Sequence, residues 1–127
     1  MKEIKSGINH TSKILVTSQN TALNMGSGDM MVLATPEMVA LMENAAMSCV
    51  SSYLEGDETT VGCSINTTHM RPSKIGTTII GVATLTEIEG RKLTFHVEAK
   101  DADGNMIGEG THERFVVNRE KFLSKIK

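Results

Sequence analysis

Tryptophan is absent from the 127 residues, and aromatic residues make up only 3% of them. A chain this poor in flat rings has little on which to stack nucleic-acid bases. Its charge offers no compensation. The formal net charge is -2, so neither nucleic acid nor an anionic membrane is an expected partner. The two cysteines, Cys49 and Cys63, are too few and too far apart for a zinc motif or a disulfide framework, and reduced structural thiols are expected. No 18-residue apolar run occurs, and no basic segment leads into a short apolar one. The expectation is therefore a cytoplasmic chain without a membrane span. Neither GxGxxG nor GxxxxGKS/T is present to cradle a phosphate. No pair of histidines has metal-ligand spacing, so no metal is expected.

What remains is ordinary in bulk and specific in pattern. Hydrophobic residues at 39% and charged residues at 22% suit one globular domain over residues 1–127, long enough to bury roughly two-thirds of its unfolded surface. Nine methionines suit an adaptable core or pocket wall. "KILVTSQNTA" (Lys13 to Ala22) has the β-branched, partly alternating look of a first strand, and "NMGSGDM" reads as a loop. Thr35, Pro36 and Glu37 then predict a helix start: a hydroxyl cap, proline in the first turn and an acid beside the N-terminus. That helix is expected to run to about Leu54. From there the period changes to two. Residues 59–70, 76–90, 92–104 and 105–118 predict four strands, with turns at Glu89-Gly90 and Asp103-Gly104. One long helix and an antiparallel meander of four strands give an α+β class with the sheet wrapped around the helix.

Glu43 is the anomaly. On a helical wheel Glu37, Asn44, Ser48 and Ser51 form the solvent arc, while Glu43 shares its arc with Val39, Ala46, Met47, Val50 and Leu54. A buried carboxylate without a partner costs several kcal/mol or takes up a proton, so this one needs a partner or a task. An arginine at a subunit contact would serve as well as chemistry. Two further residues favour chemistry. Thr35 stands where helix N–H groups suit an oxyanion. His69, in "NTTHMRP", falls on the same period-two face as Val61, Cys63, Ile65 and Thr67, the face expected to cover the helix. A carboxylate, an imidazole and a hydroxyl supply a base or nucleophile, a proton donor and a positioning hydrogen bond. His96 sits on the polar side of its strand, and His112, in "GTHERF", would line an interface or a pocket. Gly62, Gly76, Gly81, Gly108 and Gly110 fall in predicted strands, where each marks a bulge or a close backbone approach.

The segments "ATPEMVALMENAAM", "TTVGCSINTTHMRPSKIG", "EIEGRKLTFHVEAKD" and "IGEGTHERFVVNREKF" cover nearly the whole chain. Together they resemble the hotdog-fold acyl-CoA thioesterases, specifically the fluoroacetyl-CoA thioesterase-like group. The specific part is the spacing of Thr35, Glu43 eight residues on, and His69 twenty-six beyond that. The resemblance implies a five-stranded antiparallel sheet wrapped around one long central helix. It also implies a homodimer, with tetramers left open, whose active sites lie at the dimer interface. It makes Thr35, Glu43 and His69 the catalytic trio, places Gly62 at the substrate and coenzyme A site, and associates Arg114 with substrate. The implied reaction is hydrolysis of an acyl-CoA thioester, with coenzyme A arriving as part of the substrate and no separate cofactor. "NMGSGDMMV" contains no aromatic residue to cover a very small acyl group, so a short acyl-CoA, rather than fluoroacetyl-CoA in particular, is the expectation. Arg71 and Lys74 follow His69 and would reach the coenzyme A phosphates or simply face solvent. A hotdog hydratase or dehydratase, or a module that binds acyl-CoA without cleaving it, are the alternatives.

Overall fold

The computed structural model describes residues 1–126. The chain runs β1 (Asn9–Leu15), α1 (Ala22–Met25), α2 (Thr35–Val50), β2 (Glu58–His69), β3 (Thr78–Glu89), β4 (Lys92–Asp101), β5 (Met106–Asn118) and α3 (Arg119–Ser124). All five strands form one sheet in the order β1-β3-β4-β5-β2, and every pairing is antiparallel. The expected meander therefore holds only for β3, β4 and β5. The far side of β3 is taken by β1, so β2 lies beside β5 at the opposite edge. Residues 70–77 carry the chain across, tied to the segment before α2 by the Leu33 N–H donating to the Ser73 carbonyl at 2.9 Å.

The first strand starts and stops earlier than its composition suggests. Thr17 and Asn20 form a capping box around a short 3-10 turn, and Thr21 caps α1. Side-chain hydrogen bonds to the backbone thus end the extended run at Leu15. α1 closes on Gly26, whose φ of 77° is left-handed, a conformation that glycine adopts without penalty. The glycines of the two expected turns, Gly90 and Gly104, also have positive φ. Gly76 proves to be a turn residue just ahead of β3 rather than a strand residue.

α2 buries Met38, Leu41, Met42, Ala45, Ala46, Cys49 and Val50, a stripe at three- and four-residue intervals. It lies across β3 and β1, where Ile79, Gly81, Ala83 and Leu85 point inward, with Leu93, Phe95, Val97 and Ala99 of β4 beside them. Each large side chain so buried contributes about 1.5–3 kcal/mol relative to exposure. Gly81 is what lets the helix settle this close. A Cβ there would lie 2.7 Å from Leu41 Cγ, so a side chain would lift α2 off the sheet.

Candidate active site

Thr35 is the first residue of α2, and the residue in the capping position is Ala34, which makes no side-chain cap. The expected hydroxyl cap is corrected: Thr35 Oγ1 instead lies 2.7 Å from His69 Nδ1. The backbone N–H groups of Glu37 and Met38 both donate to the Ala34 carbonyl, and Pro36 has no N–H. The helix start thus offers fewer free donors to an oxyanion than a bare N-terminus would.

His69 ends β2, opposite Gly108. Among the described residues its Nε2 is buried with no hydrogen-bond partner, an arrangement rare in folded proteins and expensive unless something else fills the place. Burial pushes the imidazole below its ordinary range, and the nearby Arg71 backbone only partly opposes this. Thr35 and His69 share a pocket of about 260 Å³ with Val32, Leu33, Arg71 and Pro72. Arg71 and Lys74 are both exposed.

Glu43 is half-buried, with half-buried Val39 one turn before it and exposed Met47 one turn after it. This flank of α2 is the least covered of its apolar arc. Among the described residues Glu43 makes no hydrogen bond and no ion pair. It faces a second cluster, at the other end of β2. A Cβ on Gly62 would lie 3.2 Å from Glu43 Oε2, 3.2 Å from His112 Cε1 and 3.3 Å from Arg114 Nη1. The missing side chain is thus what keeps open the space between carboxylate and guanidinium. Arg114 is buried to 7% exposure. Its Nε donates to Thr60 Oγ1 at 2.9 Å, its Nη2 to the Thr60 carbonyl at 3.0 Å, and its Nη1 contacts His112 Nε2 at 3.2 Å. Burial lowers the Arg114 pKa from its usual value, and the negative charge of Glu43 works against that.

The four residues nearest this space are therefore Gly62, Arg114 and Glu43, all expected at the site, and His112, expected only to line an interface or a pocket. It is 1% exposed. Alternation along β5 carried the signal: His112 and Arg114 lie two residues apart and so share a face. On β2 the expected face is corrected. The register shifts between Gly62 and Ser64, leaving Cys63 as an extra residue. Ile65, Thr67 and His69 keep their inward side, but it is Gly62, not Val61 or Cys63, that joins them. The His96 side chain is 44% exposed, and its Nε2 lies 3.5 Å from the Glu109 carboxylate.

The two clusters are separate within one chain. Eight helical residues from Thr35 to Glu43 span about 12 Å, and the strand between Gly62 and His69 spans roughly 20 Å. Among the described residues no three His, Cys, Asp or Glu side chains gather in a metal-binding arrangement, and no helix is long and apolar enough to cross a membrane.

The family profile of fluoroacetyl-CoA-specific thioesterases matches residues 16–120. Over 96 residues the chain is 42% identical to the fluoroacetyl-CoA thioesterase of Streptantibioticus cattleyicolor, across 76% of this chain and 68% of that protein. A solved fluoroacetyl-CoA thioesterase superposes with a TM-score of 0.90 at 34% identity, covering 98% of this chain and 96% of that one. A variant of that enzyme in complex with acetyl-CoA superposes at 0.91 and 33% identity, covering 97% and 96%. A thioesterase-superfamily member from Thermus thermophilus reaches 0.92 at 27% identity, covering 99% and 93%.

Proposed function

Because the chain belongs to the family of fluoroacetyl-CoA-specific thioesterases, hotdog-fold acyl-CoA thioester hydrolases, we propose that Thr35, Glu43 and His69 together cleave a short acyl-CoA at a site shared between two copies of the chain. The observation that carries this reading is the Thr35–His69 contact at 2.7 Å with His69 Nε2 left buried and unpartnered. A hydroxyl lies against one side of the imidazole, and among the described residues no hydrogen-bond partner meets the other.

The chemistry follows from the three groups. With Thr35 Oγ–H donating to Nδ1, the neutral ring carries its proton on Nε2 and directs it at the thioester oxygen as that oxygen becomes an anion. Glu43 then has one of two tasks. As a general base it takes a proton from water while the hydroxide adds to the carbonyl carbon. As a nucleophile it adds to that carbon itself, giving a mixed anhydride that water opens. By either route the C–S bond breaks and coenzyme A leaves as its thiolate. A thiol of pKa about 8.5 departs without a strong acid behind it, so an imidazole held neutral by burial is adequate. Both routes need a carboxylate that is not already engaged, and among the described residues Glu43 makes no hydrogen bond and no ion pair. Arg114, across the space above Gly62, supplies the compensating charge and a donor toward the acyl end.

The sharing between copies is supported by the separation of the two clusters and by the free edge of β2. Twelve residues of edge strand, Glu58–His69, are an unpaired template of the kind proteins seldom leave bare. An antiparallel pairing of two β2 strands about a two-fold near Ile65 and Asn66 sets His69 of one copy opposite Gly62 of the other. That brings the Thr35–His69 pair to the other copy's Glu43 and Arg114.

The test is free-thiol release from a panel of saturated acyl-CoAs by wild type, Glu43→Gln and His69→Ala, each checked for folding. Turnover by wild type that drops about 10²-fold or more in each folded variant is the expected result. Binding without thiol release would point to a non-catalytic module. Reaction confined to enoyl or hydroxyacyl thioesters would point to a hydratase.

A further inference from the structure

We propose that His112 is a positioning residue for Arg114, locked into a single tautomer so that it can accept a hydrogen bond from the guanidinium. Its importance for turnover rests on the function proposed above, but its geometry does not.

His112 Nδ1 lies 2.8 Å from the Ser64 carbonyl and Nε2 lies 3.2 Å from Arg114 Nη1. A carbonyl oxygen cannot donate, so Nδ1 carries the proton. A guanidinium cannot accept, so Nε2 is bare. Only the neutral Nδ1–H form satisfies both neighbours. The cationic form would turn an N–H toward a buried cation. Burial pushes His112 below its usual range, and the neighbouring Arg114 charge adds to this.

The consequence lies with Arg114. All three of its acceptors, Thr60 Oγ1, the Thr60 carbonyl and His112 Nε2, are uncharged. No carboxylate pairs with it among the described residues, so neutral groups alone hold the guanidinium in plane. Thr60 grips Nε and Nη2, and among the described residues His112 alone grips Nη1, the guanidinium nitrogen closest to the space that Gly62 leaves open beside Glu43. Without that acceptor the guanidinium still has two bonds to Thr60 but can tilt at the end that faces the reacting groups. The locking carbonyl belongs to Ser64, the first residue beyond the register shift in β2. One extra residue in that strand therefore sets the proton on His112, and through it the aim of Arg114.

Two variants separate the two ends of the ring. His112→Asn keeps a donor near the Nδ1 position and removes the acceptor. His112→Gln places an acceptor near the Nε2 position. The expected result is a fall in kcat of roughly 10- to 10²-fold for His112→Asn, the scale of a reacting group misplaced by about 1 Å. KM should change little, and most of the loss should return in His112→Gln. In an Arg114→Met background His112→Asn should cost less than about twofold more, because a residue that acts through another is not additive with it. Equal loss in Asn and Gln, or additivity with Arg114→Met, would overturn the proposal. Nitrogen chemical shifts of the His112 ring at pH 7 decide the geometry without turnover. A protonated Nδ1 and a bare Nε2 are expected, and a protonated Nε2 overturns the proposal even if the enzyme is active. A wild type that cleaves no acyl-CoA would refute the proposed function, leaving those shifts to decide this inference alone.

Discussion

Mixing two dead subunits should restore activity. If His69 of one copy works with Glu43 of the other, then a Glu43→Gln homodimer and a His69→Ala homodimer are both inactive, each lacking one essential group in both sites. A mixed dimer is different. One of its sites takes the intact His69 from the Glu43→Gln chain and the intact Glu43 from the His69→Ala chain, while its other site collects both lesions. Random exchange of equal amounts makes half of the dimers mixed, and half of their sites intact, so thiol release should recover to about a quarter of the wild-type rate per chain. The structural reason is distance. Thr35 is in contact with His69 at 2.7 Å, and eight helical residues put Glu43 about 12 Å farther along α2, too far for one thioester carbonyl to touch both groups in a single chain. The assay is thiol release after co-refolding the two variants, with differently tagged chains purified in tandem to prove that mixed dimers formed. No recovery in proven mixed dimers would mean that the groups act within one chain and that the distance argument is wrong. A wild type that stays monomeric while turning over would refute it as directly.

Acid should weaken the fold before any carboxylate with a lowered pKa is protonated. His69 and His112 both titrate below their ordinary 6.5 because burial disfavours their charged forms. The unfolded chain therefore binds more protons as pH falls through 6.5, and stability declines from there toward the folded values. The Glu58 carboxylate, held at about 2 chiefly by the chain's amino terminus, loses its contribution only below 4.5, outside that window. The urea midpoint should be lower at pH 5.5 than at pH 7.5, and an unchanged or higher midpoint would contradict the burial argument. Two glycines should also part company. Gly108→Ala would drive a Cβ into the Thr68 carbonyl and to 2.7 Å from Met38 Sδ. Overpacking of this kind costs about 1–3 kcal/mol, and a denaturation curve should show it as a lowered midpoint. Gly62→Ala meets only side-chain ends, the nearest at 3.2 Å. It should fold and yet lose turnover, because its methyl group occupies the space between Glu43 and Arg114. A fully active Gly62→Ala would show that this space is not used.

The long helix was legible because its signal is redundant: apolar residues at three- and four-residue spacing, a proline in the first turn and an acid beside it all agree. β4 was legible because its alternation runs unbroken from Leu93 to Ala99. β3 was legible only as a strand of mixed facing, since outward Ile80 and Val82 are as apolar as inward Ile79 and Ala83, and its buried face emerges only in the fold. Sheet order was not legible, since nothing local to β2 says which neighbour it will take, and its pairing with β5 is a long-range contact. Thr35 was misread as a cap for an instructive reason. A threonine before a proline has the composition of a cap, and only the fold reveals that His69 competes for the same hydroxyl. His112 was legible only as a residue lining an interface or a pocket, because its partners, Ser64 and Arg114, matter only once β2 and β5 are side by side.

The bulge in β2 shows how much can rest on one unreadable residue. Side chains on a strand alternate faces, so Gly62 and His69, seven positions apart, would lie on opposite sides of a regular sheet. Here both face α2: Gly62 toward Glu43, and His69 toward Thr35. The extra residue at Cys63 restores the parity, turning an odd separation into an even one. On β5 no such correction is needed, because Gly108, Gly110, His112 and Arg114 are all an even number of residues apart and share one face. A single inserted position therefore lets an edge strand address the two ends of one helix from the same side. A strict period-two reading assigns Val61 and Cys63 to the inward face because it has no term for that insertion. The strand's two chemical ends, one meeting the Thr35–His69 pair and the other the Glu43–Arg114 space, are compatible with a two-fold shared site only because of it.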